Sequence, residues 1–203
     1  MTIRLLLADD QQLIRAGLAA LLNLEADLEV VHQVSDGADV VDAIRQHRVD
    51  VAVLDIEMPG VDGITATQHI TEALGDQVAV LILTTFGRAG YLQRAMTAGA
   101  RGFMVKDAPA EQLAAAIRTV AGGGRAVDPA LAAEALSAGV NPLTDREREV
   151  LSAALDGASV KNIAARVHLS AGTVRNHLSS AIGKTQTSNR TEAARTAQLN
   201  GWL

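Results

Sequence analysis

Four short apolar runs in the first half of the chain each stop at a particular polar residue, and this pattern constrains the fold more than any other feature. LLLA runs into Asp9 and Asp10, VAVL into Asp55, AVLIL into Thr84 and Thr85, and GFMV into Lys106. The runs are apolar throughout, without polar alternation, as strands covered on both faces require. A weaker run lies near Val30 to Gln33. Segments of helical period separate them: Leu13 to Leu22, Ala38 to His47, Ile64 to Leu74, Tyr91 to Ala98 and Pro109 to Val120. Five β-then-α units predict a doubly wound, five-stranded parallel α/β sheet with right-handed crossovers. Neighbouring parallel strands bring their last residues to one carboxyl edge, where open α/β sheets place their sites. Three carboxylates, a hydroxyl and an ammonium would meet there, a set suited to magnesium-dependent phosphoryl chemistry on one aspartate.

Turn residues punctuate the same count. Pro59-Gly60 breaks the chain after the third run, Asp62-Gly63 signals the next turn, and Gly122, Gly123 and Gly124 end the fifth helix, so a first domain over residues 1–122 is expected. A tether over 123–142 contains one short helix, Ala130 to Ala138, capped by Asp128 and ended by Gly139. The 203 residues include no cysteine, which removes disulfides and thiolate metal sites. The start MTIRLLLADD runs straight into acidic residues, unlike a secretory signal, and no stretch approaches the ~20 apolar residues of a membrane span. A cytoplasmic protein without membrane insertion is expected. Charge is divided unevenly: residues 1–140 carry a net −8 and 141–203 a net +3. An acidic front and a basic tail point to two jobs.

From residue 143 to 203 the pattern is all-α. Thr144-Asp145-Arg146-Glu147 has the form of a capping box, and Val150, Leu151, Ala154 and Leu155 make an apolar face behind it. A second helix near Val160 to Val167 turns inward Ile163, Ala164 and Val167. Ser170 then caps a third helix that runs to about Lys184, and a fourth spans Thr191 to Asn200. Two helices joined by a tight turn form a helix-turn-helix candidate. The third helix presents Thr173, Arg175, Asn176, His177, Ser179 and Ser180, while Val174, Leu178, Ala181 and Ile182 anchor it. Arg and Asn can read guanine and adenine edges through paired hydrogen bonds, and Lys161, Lys184 and Arg190 are placed for phosphate.

With LLLADD, LDIEMPGVDG, LILTTF and AGARGFMVKD in the front and PLTDREREVL and GTVRNHLSSAIGK in the tail, the chain resembles two-component response regulators. The subgroup it resembles joins a receiver to a LuxR-type helix-turn-helix, and the likeness covers essentially the whole length. LLNLE, TTFGRAGYLQRA, KDAP, NPLTDRE and NGWL further resemble regulators of fatty-acid desaturase genes that answer a membrane-fluidity sensor kinase. The resemblance implies that Asp55 accepts a phosphoryl group from a sensor histidine kinase. It implies a Mg²⁺ site in which Asp10 and Asp55 are direct ligands, Asp9 acts through water and the main-chain carbonyl of Glu57 completes the protein's share. Thr84 and Lys106 would then sense the phosphoryl oxygens, Phe103 would be the switch aromatic, and the segment Phe86 to Ala98 would move with the fifth strand. A homodimer formed on phosphorylation would bind double-stranded promoter DNA.

Two other readings compete. A constitutive DNA-binding protein could use the front domain for docking alone, although the complete acidic set and Lys106 argue against it. A phosphatase of the halogenated-acid-dehalogenase type also uses an aspartate after a strand, yet its second aspartate would stand where this chain has Glu57. One departure from the family lies in the tail: Thr185, Gln186 and Thr187 replace the apolar residues many relatives carry, which would loosen the fourth helix and weaken dimerisation of the unphosphorylated protein.

Overall fold

Strands made only of apolar side chains are stable when both faces are covered, and the chain folds to achieve this. The computed structural model describes residues 2–85, 89–138 and 141–203. The chain divides into two compact units, Met1–Gly87 with Tyr91–Ala133, and Glu134–Leu203 with Arg88–Gly90. In the first, β1 (Ile3–Ala8), β2 (Leu28–Val34), β3 (Val51–Leu54), β4 (Ala79–Thr84) and β5 (Gly102–Val105) alternate with α1 (Gln12–Leu22), α2 (Val40–His47), α3 (Gly63–Leu74), α4 (Ala89–Ala98) and α5 (Ala110–Ala121). With β6 (Ala126–Val127) at the far edge, the sheet has the order β2-β1-β3-β4-β5-β6. Every pairing is parallel. The strand order reverses between β1 and β3, and that switch point is where a crevice opens at the carboxyl edge.

The sixth strand corrects the expected count of five. Two residues are too few to carry a periodicity, so the sequence holds no signal for β6. It forms because the Ala126 amide donates to the Arg101 carbonyl at 3.0 Å and the Asp128 amide to the Phe103 carbonyl at 3.1 Å, covering the edge of β5. The second strand is also longer than expected. The helix read from Ala38 begins instead as a 3-10 turn, Gly37–Asp39, capped by the Asp36 carboxylate, which accepts from the Ala38 amide. Pro109 caps α5 rather than entering its first turn.

Leu5, Leu7, Val53, Leu81, Ile117 and Val120 belong to one continuous core between sheet and helices. Arg118 on α5 ties that helix to the α1–β2 connection, donating to Asp27 at 2.6 and 2.8 Å and to Glu25 at 2.7 Å. After β6, α6 (Pro129–Ala138) starts where the Asp128 carboxylate accepts from the Ala130 and Leu131 amides. The expected stop at Gly139, and positions 86–88 of the segment expected to move, lie outside the described residues.

The second unit is built from α7 (Asp145–Ser152), α8 (Val160–Arg166), α9 (Ala171–Lys184) and α10 (Arg190–Leu199). The Thr144–Glu147 capping box is present, and Ser159, Ser170 and Asn189 cap the three later helices. Val150, Leu151, Ile163, Val174, Leu178 and Ala181 form the core with Ala193, Ala194 and Ala197 of α10. Leu155, expected in the buried face, is exposed because α7 ends at Ser152 and the chain turns away before it. The tight turn between α8 and α9 passes through His168 in a left-handed conformation, φ 53°. Thr185 is buried and its hydroxyl donates to the Ala181 carbonyl at 2.8 Å, so this polar replacement is satisfied by the helix it follows.

Truncating a side chain at the centre of the sheet tests the first core alone. Leu81, fully buried on β4, should destabilise its unit by ~2–5 kcal/mol on substitution by alanine. Urea unfolding followed by circular dichroism should register this loss, while the unfolding of the helical unit, reported by the single tryptophan Trp202, stays where it is in the wild type.

Candidate functional site

Strand register decides which residues meet. Ala8 stands beside Leu54, Leu54 beside Ile82 and Ile82 beside Phe103, so Asp9 and Asp55 leave their strands side by side, while Lys106 follows a strand that runs two residues further. The Asp55 amide donates to the Ala8 carbonyl at 2.8 Å and the Lys106 amide to the Thr84 carbonyl at 2.8 Å, which extends the ladder into the site. The Lys106 ammonium lies 2.7 Å from Asp9 and 2.8 Å from Asp55, with side-chain exposures of 7%, 5% and 4% for Lys106, Asp9 and Asp55. At that burial the pairing is barely screened by solvent.

Burial pushes the Asp55 carboxyl above its ordinary value, with Asp9 adding to the rise, and Lys106 only partly offsets it. Burial alone would lower the Lys106 ammonium, but its hydrogen bonds to Asp55 and Asp9 overcome this and hold it above the ordinary lysine value. Asp10 is exposed at the rim, and its carboxylate stands with those of Asp9 and Asp55 so that one oxygen from each lies within 4.8 Å of the others. Oxygens on opposite sides of an octahedral ion with ~2.1 Å bonds are about 4.2 Å apart. Three carboxylates against one ammonium leave an excess of two negative charges, so both spacing and charge fit a small divalent cation.

The chain leaving Asp55 is held closely. The Ile56 amide donates to Asp55 Oδ1 at 2.8 Å and the Gly63 amide to the Ile56 carbonyl at 3.0 Å. A Cβ at position 63 would stand 1.9 Å from the Asp55 carbonyl oxygen, so only glycine lets α3 begin there. Glu57 lies in this loop with its side chain exposed. Thr84 and Phe103 are both buried, Thr84 at the end of β4 and Phe103 within β5 opposite Ile82.

Two residues at this site escaped the sequence reading. Arg15, one turn into α1, donates to the main-chain carbonyl of Asp9, and its Nε is buried without a hydrogen-bond partner. A cation inside the otherwise apolar LIRAGLAALL stretch was the available signal. Asp36, after β2, accepts from the Val61 amide at 3.2 Å as well as from Ala38, and so fixes the far end of the loop that follows Asp55.

In the helical unit, Arg175, Asn176 and Ser179 are exposed on α9, and Thr173 and His177 are half-buried. The Thr173 hydroxyl is shared with Ser170 at 2.8 Å in the helix cap. Lys161 is exposed on α8. Two residues expected at phosphate also make contacts within the unit: Arg190 donates to the Ala158 carbonyl at 3.0 Å, and the ammonium of the exposed Lys184 reaches Glu147 at 2.7 Å. Ser180, an exposed residue, also donates to Glu147, at 2.6 Å.

Glu147 is nearly fully buried. Burial opposes its charge, yet hydrogen bonds from Lys184, Ser180 and the Thr144 amide hold its carboxyl down to about 2, against 4.5 ordinarily. A carboxyl lowered on folding adds stability that is complete above its unfolded value and is lost as pH falls through the folded one. The stability difference between wild type and Glu147→Gln should therefore be greatest above pH ~5 and narrow by on the order of 3 kcal/mol as pH falls to ~2. Urea titrations read by Trp202 fluorescence at a series of pH values measure it.

Comparison with known proteins agrees with both halves of this geometry. Residues 5–118 match the response regulator receiver domain, and residues 141–197 match the bacterial regulatory proteins of the luxR family. The chain is 44% identical over 201 residues to the transcriptional regulatory protein DesR of Bacillus subtilis (strain 168), covering 99% of both. Among solved structures it resembles the response regulator ChrA of a heme-sensing two-component system, at 36% identity and TM-score 0.60, over 97% of this chain and 96% of that one. It shares a fold with RcsB, solved as two dimers bound to two parallel DNAs, at 20% identity and TM-score 0.71 over 98% of each chain. A parallel sheet with an acidic carboxyl edge, followed by a capped helix-turn-helix and matched along its whole length by these relatives, makes the chain a member of the response regulators that join a receiver domain to a LuxR-type DNA-binding domain and regulate transcription.

Proposed function

We propose that a sensor histidine kinase phosphorylates this regulator on Asp55 and that the modified protein pairs with a second copy to bind promoter DNA. The observation that carries the reading is the single buried ammonium of Lys106 shared between Asp9 and Asp55. An Asp55 oxygen attacks phosphorus in the kinase's phosphohistidine; the new O–P bond forms as the N–P bond breaks and its electron pair returns to the imidazole. Burial leaves that carboxylate poorly solvated and therefore reactive, and Lys106 supplies a positive charge where the incoming oxygens gather.

The residues that would hold Mg²⁺ are Asp10, Asp55 and the main-chain carbonyl of Glu57, with Asp9 acting through water. When bound, the ion neutralises the negative charge that two anionic reactants bring together. Phosphorylation adds about −1.5 to −2 charges. Lys106 then turns from the carboxylates to a phosphoryl oxygen, the Thr84 hydroxyl donates to another, and the chain after β4 is drawn inward over Phe103. The receiver promotes only its own phosphorylation and dephosphorylation. Residues 1–122 carry this chemistry, 123–142 form the tether that also supplies β6, and 143–203 bind DNA, so the protein works in the cytoplasm with its target.

On the DNA side, α9 enters the major groove, with Arg175 and Asn176 at base edges, Thr173, His177 and Ser179 beside them, and Lys161 at phosphate. The unit's net charge of +3 is modest, so one copy binds weakly and pairing on a repeated half-site raises affinity through effective concentration.

Beryllofluoride with Mg²⁺, or acetyl phosphate, should convert the wild-type protein to a dimer in analytical ultracentrifugation and tighten its binding to a duplex isolated by in vitro selection. Asp55→Ala should abolish both responses; a variant that still dimerises on treatment rejects Asp55 as the acceptor. Arg175→Ala should weaken the selected duplex by ~1–3 kcal/mol and relax the base preference at one position per half-site, read by competition among single-base variants of the duplex.

A further inference from the structure

Apolar contacts hold α9 against the domain through Val174, Leu178 and Ala181, but such contacts are non-directional and leave a helix free to rotate or slide by small amounts. Directional contacts are needed to fix which side chains face outward, and α9 makes them on one flank. Ser180 and Lys184, four residues apart and so on one face, both reach the Glu147 carboxylate, at 2.6 and 2.7 Å. The same carboxylate accepts from the Thr144 amide at 2.7 Å, which anchors it to the start of α7. Arg175 and Ser179 form a separate exposed pair at the same four-residue spacing. One buried acid thus joins the first turn of α7 to the last two turns of α9.

Burying a carboxylate is unfavourable unless its hydrogen-bond capacity is met. An apolar residue at position 147 could fill the same space without that requirement. What the acid supplies in addition is geometry, since a fully satisfied buried network admits one arrangement of its members.

We infer that Glu147 is a positioning residue for DNA recognition, clamping α9 through Ser180 and Lys184 at the rotation that presents Arg175 and Asn176 to base edges, and that Lys184 serves this clamp instead of contacting phosphate. The inference rests on the proposed role of α9 as the reading helix. It separates two kinds of exposed basic residue in the unit: the Lys184 charge is compensated by Glu147, whereas Lys161 and Arg175 pair with no acid among the described residues.

The test uses the full chain, treated with beryllofluoride and Mg²⁺, and two labelled duplexes: one isolated by in vitro selection with the wild-type protein and one of unrelated sequence. Fluorescence anisotropy gives affinity for each across a salt series, with Trp202 fluorescence reporting that each variant is folded. Glu147→Gln and Lys184→Met should each weaken the selected duplex by roughly 10–100-fold, as loss of a charged hydrogen bond does. Binding to the unrelated duplex should change far less. A phosphate contact contributes about −0.9 to the slope of log affinity against log salt, and Lys184→Met should leave that slope as in the wild type.

Ser180→Ala removes one donor without uncovering a charge and should give the same loss of selectivity in smaller measure, which decides the matter should the Glu147 variant fail to fold. A shallower slope for Lys184→Met, or unchanged selectivity in Ser180→Ala and Glu147→Gln, overturns the inference. Failure of Arg175→Ala to affect the selected duplex would instead reject α9 as the reading helix.

Discussion

The receiver's chemistry depends on one ammonium being placed between two carboxylates in a nearly dry site. Lys106 reaches Asp9 and Asp55 from a strand that runs two residues further than theirs: the parallel registers set Ala8 beside Leu54, Leu54 beside Ile82 and Ile82 beside Phe103, and the long lysine side chain spans that offset. The strands in turn tolerate this arrangement because their apolar faces are covered by helices on both sides. Without Lys106, two buried carboxylates would face each other with no fixed counter-charge, and such a pair is stable only if one is protonated. A lysine at the end of β5 therefore supplies the counter-charge beside which Asp55 stands buried next to another acid.

Around that triad the chain is arranged to limit movement in some places and to leave it in others. Gly63 lets α3 begin against the Asp55 carbonyl, and Asp36 holds the Val61 amide, so the loop leaving Asp55 is pinned at both ends. Arg15 grips the Asp9 carbonyl from α1. The β4 and β5 ends are joined through the backbone contact of Thr84 and Lys106, so a pull on the Lys106 side chain acts on the edge of the sheet that carries α4. The Asp55 side is tied down by these contacts, and the Lys106 side is joined to the strand that precedes α4.

Most of this was legible in the sequence because strand ends are marked by abrupt changes in polarity. Asp9, Asp10, Asp55, Thr84 and Lys106 each follow an apolar run, and the parallel-sheet rule places them together without any knowledge of contacts. Residues that act through the backbone left weaker marks. Arg15 reads as one charge on a helix and Asp36 as one acid in a turn, and neither reveals which distant carbonyl or amide it will meet. β6 is too short for any periodicity, and it exists because an uncovered edge of β5 lay within reach. In the tail, the capping-box spelling announced the Thr144–Glu147 contact but not that the same carboxylate continues to Ser180 and Lys184, residues more than thirty positions away. An isolated basic residue on a helix likewise carries no sign of the internal partners that Lys184 and Arg190 have.

The two units thus use the same chemical pair, a buried carboxylate with a lysine, to opposite ends. At Glu147 three kinds of donor converge on one acid, and their combined effect outweighs burial, so the carboxyl lies far below its ordinary value. At Asp55 one ammonium is divided between two acids, burial outweighs it, and the carboxyl lies above its ordinary value. The balance of donors to acids is what differs. A site with more donors than charge to satisfy fixes a helix in place, whereas a site with more negative charge than its single cation can compensate remains receptive to further cations and to rearrangement of that lysine. The first suits a surface that must present the same side chains each time it meets DNA, and the second suits a switch.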